Sequence, residues 1–155
     1  MLLYLLRHAN AEHTSPSGKD KDRPLSSIGI NQAVLLGDYV STLNLIETSM
    51  YISSSRRTIE TENYALKSCT NNKEFHDELY LTSSKELMKF INGQNTTNNI
   101  LILGHNEGIS ALASYLTDQY IALNTANCIT IEFDCVNSNE ISGSMGKIID
   151  FFNPL

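Results

Sequence analysis

The chain has 155 residues, 41% of them hydrophobic, and a formal net charge of −6 at pH 7. That length and composition fit one domain with a sizeable core, so residues 1–155 are read as a single domain. The acidic balance disfavours broad electrostatic binding to nucleic acid, which needs many Lys and Arg on one face, but leaves room for a small local anion pocket.

In chain order, Leu2 to Leu6 is a continuous apolar run closed by Arg7 and His8. Such a run reads as a strand buried on both faces, with Arg7 and His8 at its carboxyl end. A polar loop from Ala9 to Pro24 follows, with a turn at Ser15–Gly18 and the mixed charges of Lys19 to Arg23. Ser26 or Ser27 caps a helix reaching about Leu43, with Ile30, Ala33, Val34, Gly37 and Val40 as its inward stripe. A second strand spans Met50 to Ser53, and a second helix runs from about Arg56 to about Ser68.

Thr70 to Lys73 reads as a turn, and Phe75 to Tyr80 is ambiguous between strand end and loop. Ser83 or Ser84 caps a helix that turns Leu87, Met88 and Ile91 inward. After the polar loop Asn92 to Asn99, Ile100 to Leu103 is a third buried strand, running into Gly104-His105-Asn106. Ile109, Leu112, Ala113 and Leu116 then recur at helical spacing. Beyond Thr117 the pattern alternates over Cys128 to Phe133 and over Ile148 to Phe152, two strands joined by a hairpin-like connection. Strands alternating with helices, then two late strands, predict an α/β fold: a three-layer α/β/α sandwich with a mostly parallel mixed sheet.

Cys69, Cys128 and Cys135 are an odd set without C-x-x-C spacing, which disfavours a disulfide framework or a zinc site. The first apolar run is too short for a signal peptide and has no basic start. No stretch is long enough to span a membrane. These features predict a cytoplasmic protein.

If the three buried strands are parallel neighbours, His8, His105, Arg7 and an arginine from the Arg56-Arg57 pair meet at the sheet edge where open α/β sheets bind ligands. Arginine offers a fork that matches phosphate oxygens two at a time. A neutral histidine can present a ring nitrogen as nucleophile, and a second, protonated histidine can hold the equatorial oxygens. The helix opening after His105 adds N–H donors and its dipole. Arg7, His8, Arg57 and His105 therefore form a coherent phosphate site, with Arg23 able to lean over it. The rival readings are a structural Arg-His pair and a metal site. No H-x-H, H-E-x-x-H or cysteine spacing supports a metal. His13 and His76 lie in polar surroundings and read as solvated. Ser53 to Ser55 lack a G-x-S-x-G elbow, which argues against a serine nucleophile.

These motifs resemble a known family. Leu6-Arg7-His8-Ala9 is similar to the R-H-G signature of the histidine phosphatase (phosphoglycerate mutase-like) superfamily. Ser53 to Thr61 is similar to its S-P-x-x-R-x-x-x-T, which puts Arg57 rather than Arg56 on the phosphate. Gly104-His105-Asn106-Glu107-Gly108 matches its G-H-x-x-G. Arg23-Pro24-Leu25-Ser26, Gly29 and Gln32-Ala33 resemble the small branch that includes SixA-type phosphohistidine phosphatases, and Asp77-Glu78-Leu79-Tyr80 fits there too. The resemblance covers nearly the whole chain.

What the resemblance implies is a phosphoglycerate mutase-like fold and a phosphatase without metal or organic cofactor. His8 would attack phosphorus and become phosphohistidine, and water would release phosphate. Arg7, Arg57 and His105 would stabilise the transferring group, with Asn106 and Arg23 as further substrate contacts. Glu78 would be the nearest match to the family's general acid, with Asp77 and Glu107 as alternatives. The chain departs from the family at Ala9, Ser54 and Glu107, and Glu107 would repel an anionic substrate. The implied substrate is a phosphohistidine-bearing protein, because only Thr70 to Ser84 is available as a lid. A small phosphomonoester is the alternative substrate, and an inactive phosphate-binding module is the alternative function.

Overall fold

The computed structural model describes residues Met1–Pro154. The strands are β1 (Leu2–Arg7), β2 (Thr48–Ser53), β3 (Lys73–His76), β4 (Asn99–Gly104), β5 (Cys128–Glu132) and β6 (Lys147–Phe152). The helices are α1 (Ser27–Val40), α2 (Arg56–Ala65), α3 (Ser84–Gln94) and α4 (Gly108–Thr117). The strands form one sheet in the order β3-β2-β4-β1-β5-β6. β3, β2, β4 and β1 pair in parallel, whereas β5 pairs antiparallel with both β1 and β6, so β5 alone runs against the other five.

The apolar run of β1 is uninterrupted because helices cover both faces of the sheet. Leu3 and Leu5 point into a core with Ile100, Ile102, Leu87, Ile91 and Leu112, under α3 and α4. Tyr4 and Leu6 point the other way, into a core with Leu101, Leu103, Ala33, Leu36 and Ala65, under α1 and α2. Alternation along each strand thus feeds two cores from one sequence run. This is the predicted three-layer sandwich.

Local details differ from the sequence reading. Ser26 caps α1 by accepting from the Gly29 N–H at 3.0 Å. The helix then buries Gly29, Gln32, Ala33, Leu36 and Val40, while the predicted Ile30 and Val34 are exposed. The loop after His8 sets this rotation. Gln32 Oε1 accepts the Asn10 N–H at 2.9 Å, and Gly29 lies so close to Asn10 that a Cβ there would be 1.8 Å from its carbonyl oxygen. Satisfying buried backbone outranks burying two more aliphatic side chains.

Helices α1 and α2 end at Val40 and Ala65, short of Leu43 and Ser68. Lys73, expected in a turn, opens edge strand β3, and a single 3-10 turn at Asp77–Leu79 follows it. The strand at Ile100–Leu103 is therefore fourth in the chain, not third. Met88 is only partly buried, beside Leu87 and Ile91. The connection from β5 to β6 folds over α3 through a 3-10 turn at Ser138–Glu140.

Candidate active site

The placement of β4 between β2 and β1 brings the carboxyl ends of these strands side by side. Arg7 is in register with Gly104, and the His8 N–H donates to the Gly104 carbonyl at 3.1 Å. His8 and His105, the next residues on adjacent strands, have ring centroids 5.1 Å apart. His8 is 9% exposed, His105 3% and Arg57 3%.

His8 Nδ1 lies 2.7 Å from the Ala9 carbonyl oxygen. A carbonyl can only accept, so Nδ1 carries the hydrogen and Nε2 is left with its lone pair. Ala9 is held in turn: its N–H donates to Thr61 Oγ1 at 3.0 Å, and the Thr61 hydroxyl donates to the Arg57 carbonyl. Burial, opposed by the Ala9 hydrogen bond and reinforced by the charges of Arg57, Arg7 and Arg23, lowers the His8 pKa from 6.5 to about 3. Burial, followed by the influence of His8 and Arg57, lowers the His105 pKa to about 2. Both rings are neutral at pH 7. The expectation that His105 stays protonated is corrected: a cation at that depth, beside arginine charges, is strongly disfavoured.

Arg7 donates through Nη1 to the Leu123 carbonyl at 2.8 Å, and its Nε is buried without a partner among the described residues. Burial draws its pKa down, although a guanidinium stays charged. Arg57 donates through Nη1 to the Asp20 carbonyl at 2.8 Å and through Nη2 to the Asp20 carboxylate at 3.1 Å. Arg56 points away and pairs with Glu60 at 2.6 Å on the surface of α2.

A family model described as histidine phosphatase superfamily, branch 1, matches residues 3–80, just over half of the chain. The chain belongs to the histidine phosphatase superfamily. It is 30% identical over 146 residues to an uncharacterised chloroplastic protein of Arabidopsis thaliana, an alignment covering 84% of this chain. The chain spans 65% of that relative's length. It superposes on a proposed phosphohistidine phosphatase SixA from Agrobacterium tumefaciens with a TM-score of 0.81 and 21% identity, covering 99% of this chain and 98% of the other. It also superposes on the protein histidine phosphatase SixA complexed with tungstate, with a TM-score of 0.79 and 15% identity, covering 99% and 97%. The fold is the SixA-like, phosphoglycerate mutase-like one.

Within this member of the superfamily the remaining expected residues separate. Arg23 reaches the site rim, where it donates to the Glu12 carbonyl and pairs with Asp20 at 2.8 Å. Asn106 has both ends engaged by the chain: Nδ2 donates to the Leu123 carbonyl at 2.9 Å, and Oδ1 accepts from Ser110 at 2.8 Å. It braces the loop that holds Arg7. Glu78 is exposed, its carboxylate 3.4 Å from His76 Nδ1, because the turn at residues 77–79 sends Leu79 into the core instead. Asp77 faces Lys21 at 2.6 Å and accepts from Ser54, contacts that lower its pKa. Glu107 is exposed at the start of α4, and its side chain makes no capping bond. His76, expected in solvent, packs edge-on against Tyr51 and Phe90.

The sequence reading passed over several residues at this site. Asp20 accepts from Arg57, Arg23 and the Tyr80 hydroxyl. The Tyr80 bond and the two arginines hold its carboxyl well below the usual range. Burial and Asp20 raise the Tyr80 phenol, so it remains a donor. Its ring stands edge-on to His105 at 5.4 Å and lies beside Arg57 at 5.7 Å. Ser53 Oγ is 2.8 Å from His105 Nε2. Asp20 lies in the charged loop just before Arg23, Ser53 opens the motif that contains Arg57, and Tyr80 closes the Asp77-Glu78-Leu79-Tyr80 motif; those positions were the available signals.

Proposed function

We propose that this histidine phosphatase hydrolyses phosphohistidine on a protein, through a phosphohistidine formed on its own His8. The observation that carries the reading is the Nδ1–H of His8 donated to Ala9, in a ring whose pKa lies near 3. A bare, neutral Nε2 is the state a nucleophile requires. In the first step Nε2 attacks phosphorus in line; the P–Nε2 bond forms as the P–N bond to the substrate imidazole breaks. In the second, water attacks phosphorus, the P–Nε2 bond breaks, and inorganic phosphate leaves.

Arg7, Arg57 and His105 stabilise the charge on the transferring group, which is the main protein contribution to such a reaction. The substrate imidazole leaves as a neutral ring when its other nitrogen already carries a proton, so a dedicated acid matters little. That is in keeping with Glu78 turning toward His76.

The choice of a protein substrate rests on shape and charge. Only a short segment separates β3 from α3, which favours a mouth open enough for a protein side chain. Asp20 pairs with Arg57 at the site and Glu107 stands at the start of the helix after His105, and these carboxylates disfavour small polyanions. A screen of a phosphohistidine protein against small phosphomonoesters tests the reading, alongside mass spectrometry for phosphate on His8. The expected result is turnover of the phosphohistidine protein with transient label on His8. Faster turnover of a phosphomonoester would transfer the assignment to small-molecule hydrolysis. Phosphate binding without turnover of either would make the chain a binding module.

A further inference from the structure

Ser53 ends β2 with its side chain fully buried, and its hydroxyl lies 2.8 Å from His105 Nε2. Its backbone carbonyl accepts from Thr58. The hydroxyl itself has no second partner among the described residues. On the opposite edge of the His105 ring, Nδ1 is buried and also has no hydrogen-bond partner among the described residues. We infer that Ser53 is a positioning residue: it donates its hydroxyl hydrogen to His105 Nε2, fixes His105 as the Nδ1–H tautomer, and so reserves that hydrogen for a phosphoryl oxygen.

Two considerations lead to the same tautomer. If Nε2 donated to Ser53 instead, the buried hydrogen without an acceptor would be the serine's; with Ser53 as donor it is the one on Nδ1, which a phosphoryl oxygen can accept. With Nε2 as donor, Nδ1 would present a lone pair, which repels an anionic phosphoryl group. With Ser53 as donor, the serine hydrogen is satisfied and the ring's one N–H sits on Nδ1, the nitrogen that no group of the chain occupies. Burial keeps the ring neutral. A neutral imidazole has one N–H, so its location matters; an imidazolium would donate from both nitrogens. A hydroxyl behind the ring thus performs what second-shell partners do behind ligating histidines.

The inference rests on the phosphoryl-transfer reading of the site, but its decisive measurement needs no turnover. Long-range ¹H–¹⁵N correlation on histidine-labelled protein distinguishes pyrrole-type from pyridine-type nitrogens. The His105 signals are assigned by their loss in His105→Asn. The expected result at pH 7 is pyrrole-type Nδ1 and pyridine-type Nε2, both without ligand and with inorganic phosphate. A pyrrole-type Nε2, or two protonated nitrogens, would overturn the proposal.

Ser53→Ala removes one oxygen from a buried position, and its fold is checked by thermal melting. The tautomers should then mix, and the inhibition constant for inorganic phosphate should rise about three- to tenfold, the scale of one hydrogen bond. An unchanged tautomer in Ser53→Ala would also overturn it. Should that variant fail to fold, the wild-type spectrum still decides. The expected tautomer in a protein that turns over no phosphohistidine would leave Ser53 in its role and remove the proposed substrate.

Discussion

His8 Nδ1 donates to the carbonyl oxygen of Ala9 across 2.7 Å, a bond between neighbours in the chain that determines which ring nitrogen is free. The bond exists because Ala9 is clamped from α2 through Thr61. The free Nε2 has as its neighbours His105 and the guanidinium charges of Arg57, Arg7 and Arg23.

His8→Ala should abolish turnover and the acid-labile label while leaving the melting temperature within a few degrees of wild type. The ring sits at a strand end, outside both apolar clusters. More than a few per cent residual rate would exclude a covalent intermediate on His8.

The arginine pair should behave asymmetrically. Arg57→Ala removes charge-assisted contacts of about 1.5–3 kcal/mol each, so kcat/KM should fall at least tenfold. Arg56→Ala breaks an exposed pair with Glu60 worth about 0.3–0.5 kcal/mol and should leave kcat/KM nearly unchanged. Comparable losses at both positions would contradict the burial of Arg57 as the reason.

Mild acid should destabilise the protein through its histidines. His8 and His105 titrate near 3 and near 2 when folded, against 6.5 when exposed. Between those values the unfolded chain binds more protons, so the stability they contribute is complete above pH 6.5 and is lost as pH falls toward 3. Urea midpoints at pH 7.5, 6 and 5 should decline in that order, and His8→Gln should flatten the decline. A midpoint that holds steady or rises on acidification would show that the rings accept protons in the fold.

Two glycines should respond to alanine with opposite signs. Gly29→Ala places a methyl 1.8 Å from the Asn10 carbonyl oxygen. It should cost about 1–3 kcal/mol and impair activity by displacing the loop after His8. Gly93→Ala meets nothing within 4 Å, inside α3. It should stabilise by about 0.5–1 kcal/mol and leave activity alone. Chemical denaturation of both variants checks the pair; a neutral Gly29→Ala would mean that α1 can rotate away from the loop.

The amino-acid sequence by itself determined which segments are buried strands, because runs such as Leu2–Leu6 and Ile100–Leu103 have no stable place except between two helical layers. It also singled out Arg7, His8, Arg57 and His105 as candidates, since each belongs to a local motif at or just beyond a strand's carboxyl end. Tertiary structure decided the rest, and the reason in each case is a contact between distant residues. The insertion of β4 between β1 and β2 made His8 and His105 neighbours. The needs of Asn10 rotated α1 against its own hydrophobic pattern. Asp20 carries no distinguishing local pattern, and Ser53 and Tyr80 lie in motifs that do not say what they face. A carboxylate, a hydroxyl or a phenol acquires a role only from what it faces, and here those faces are an arginine 37 residues away, a histidine 52 away and an aspartate 60 away.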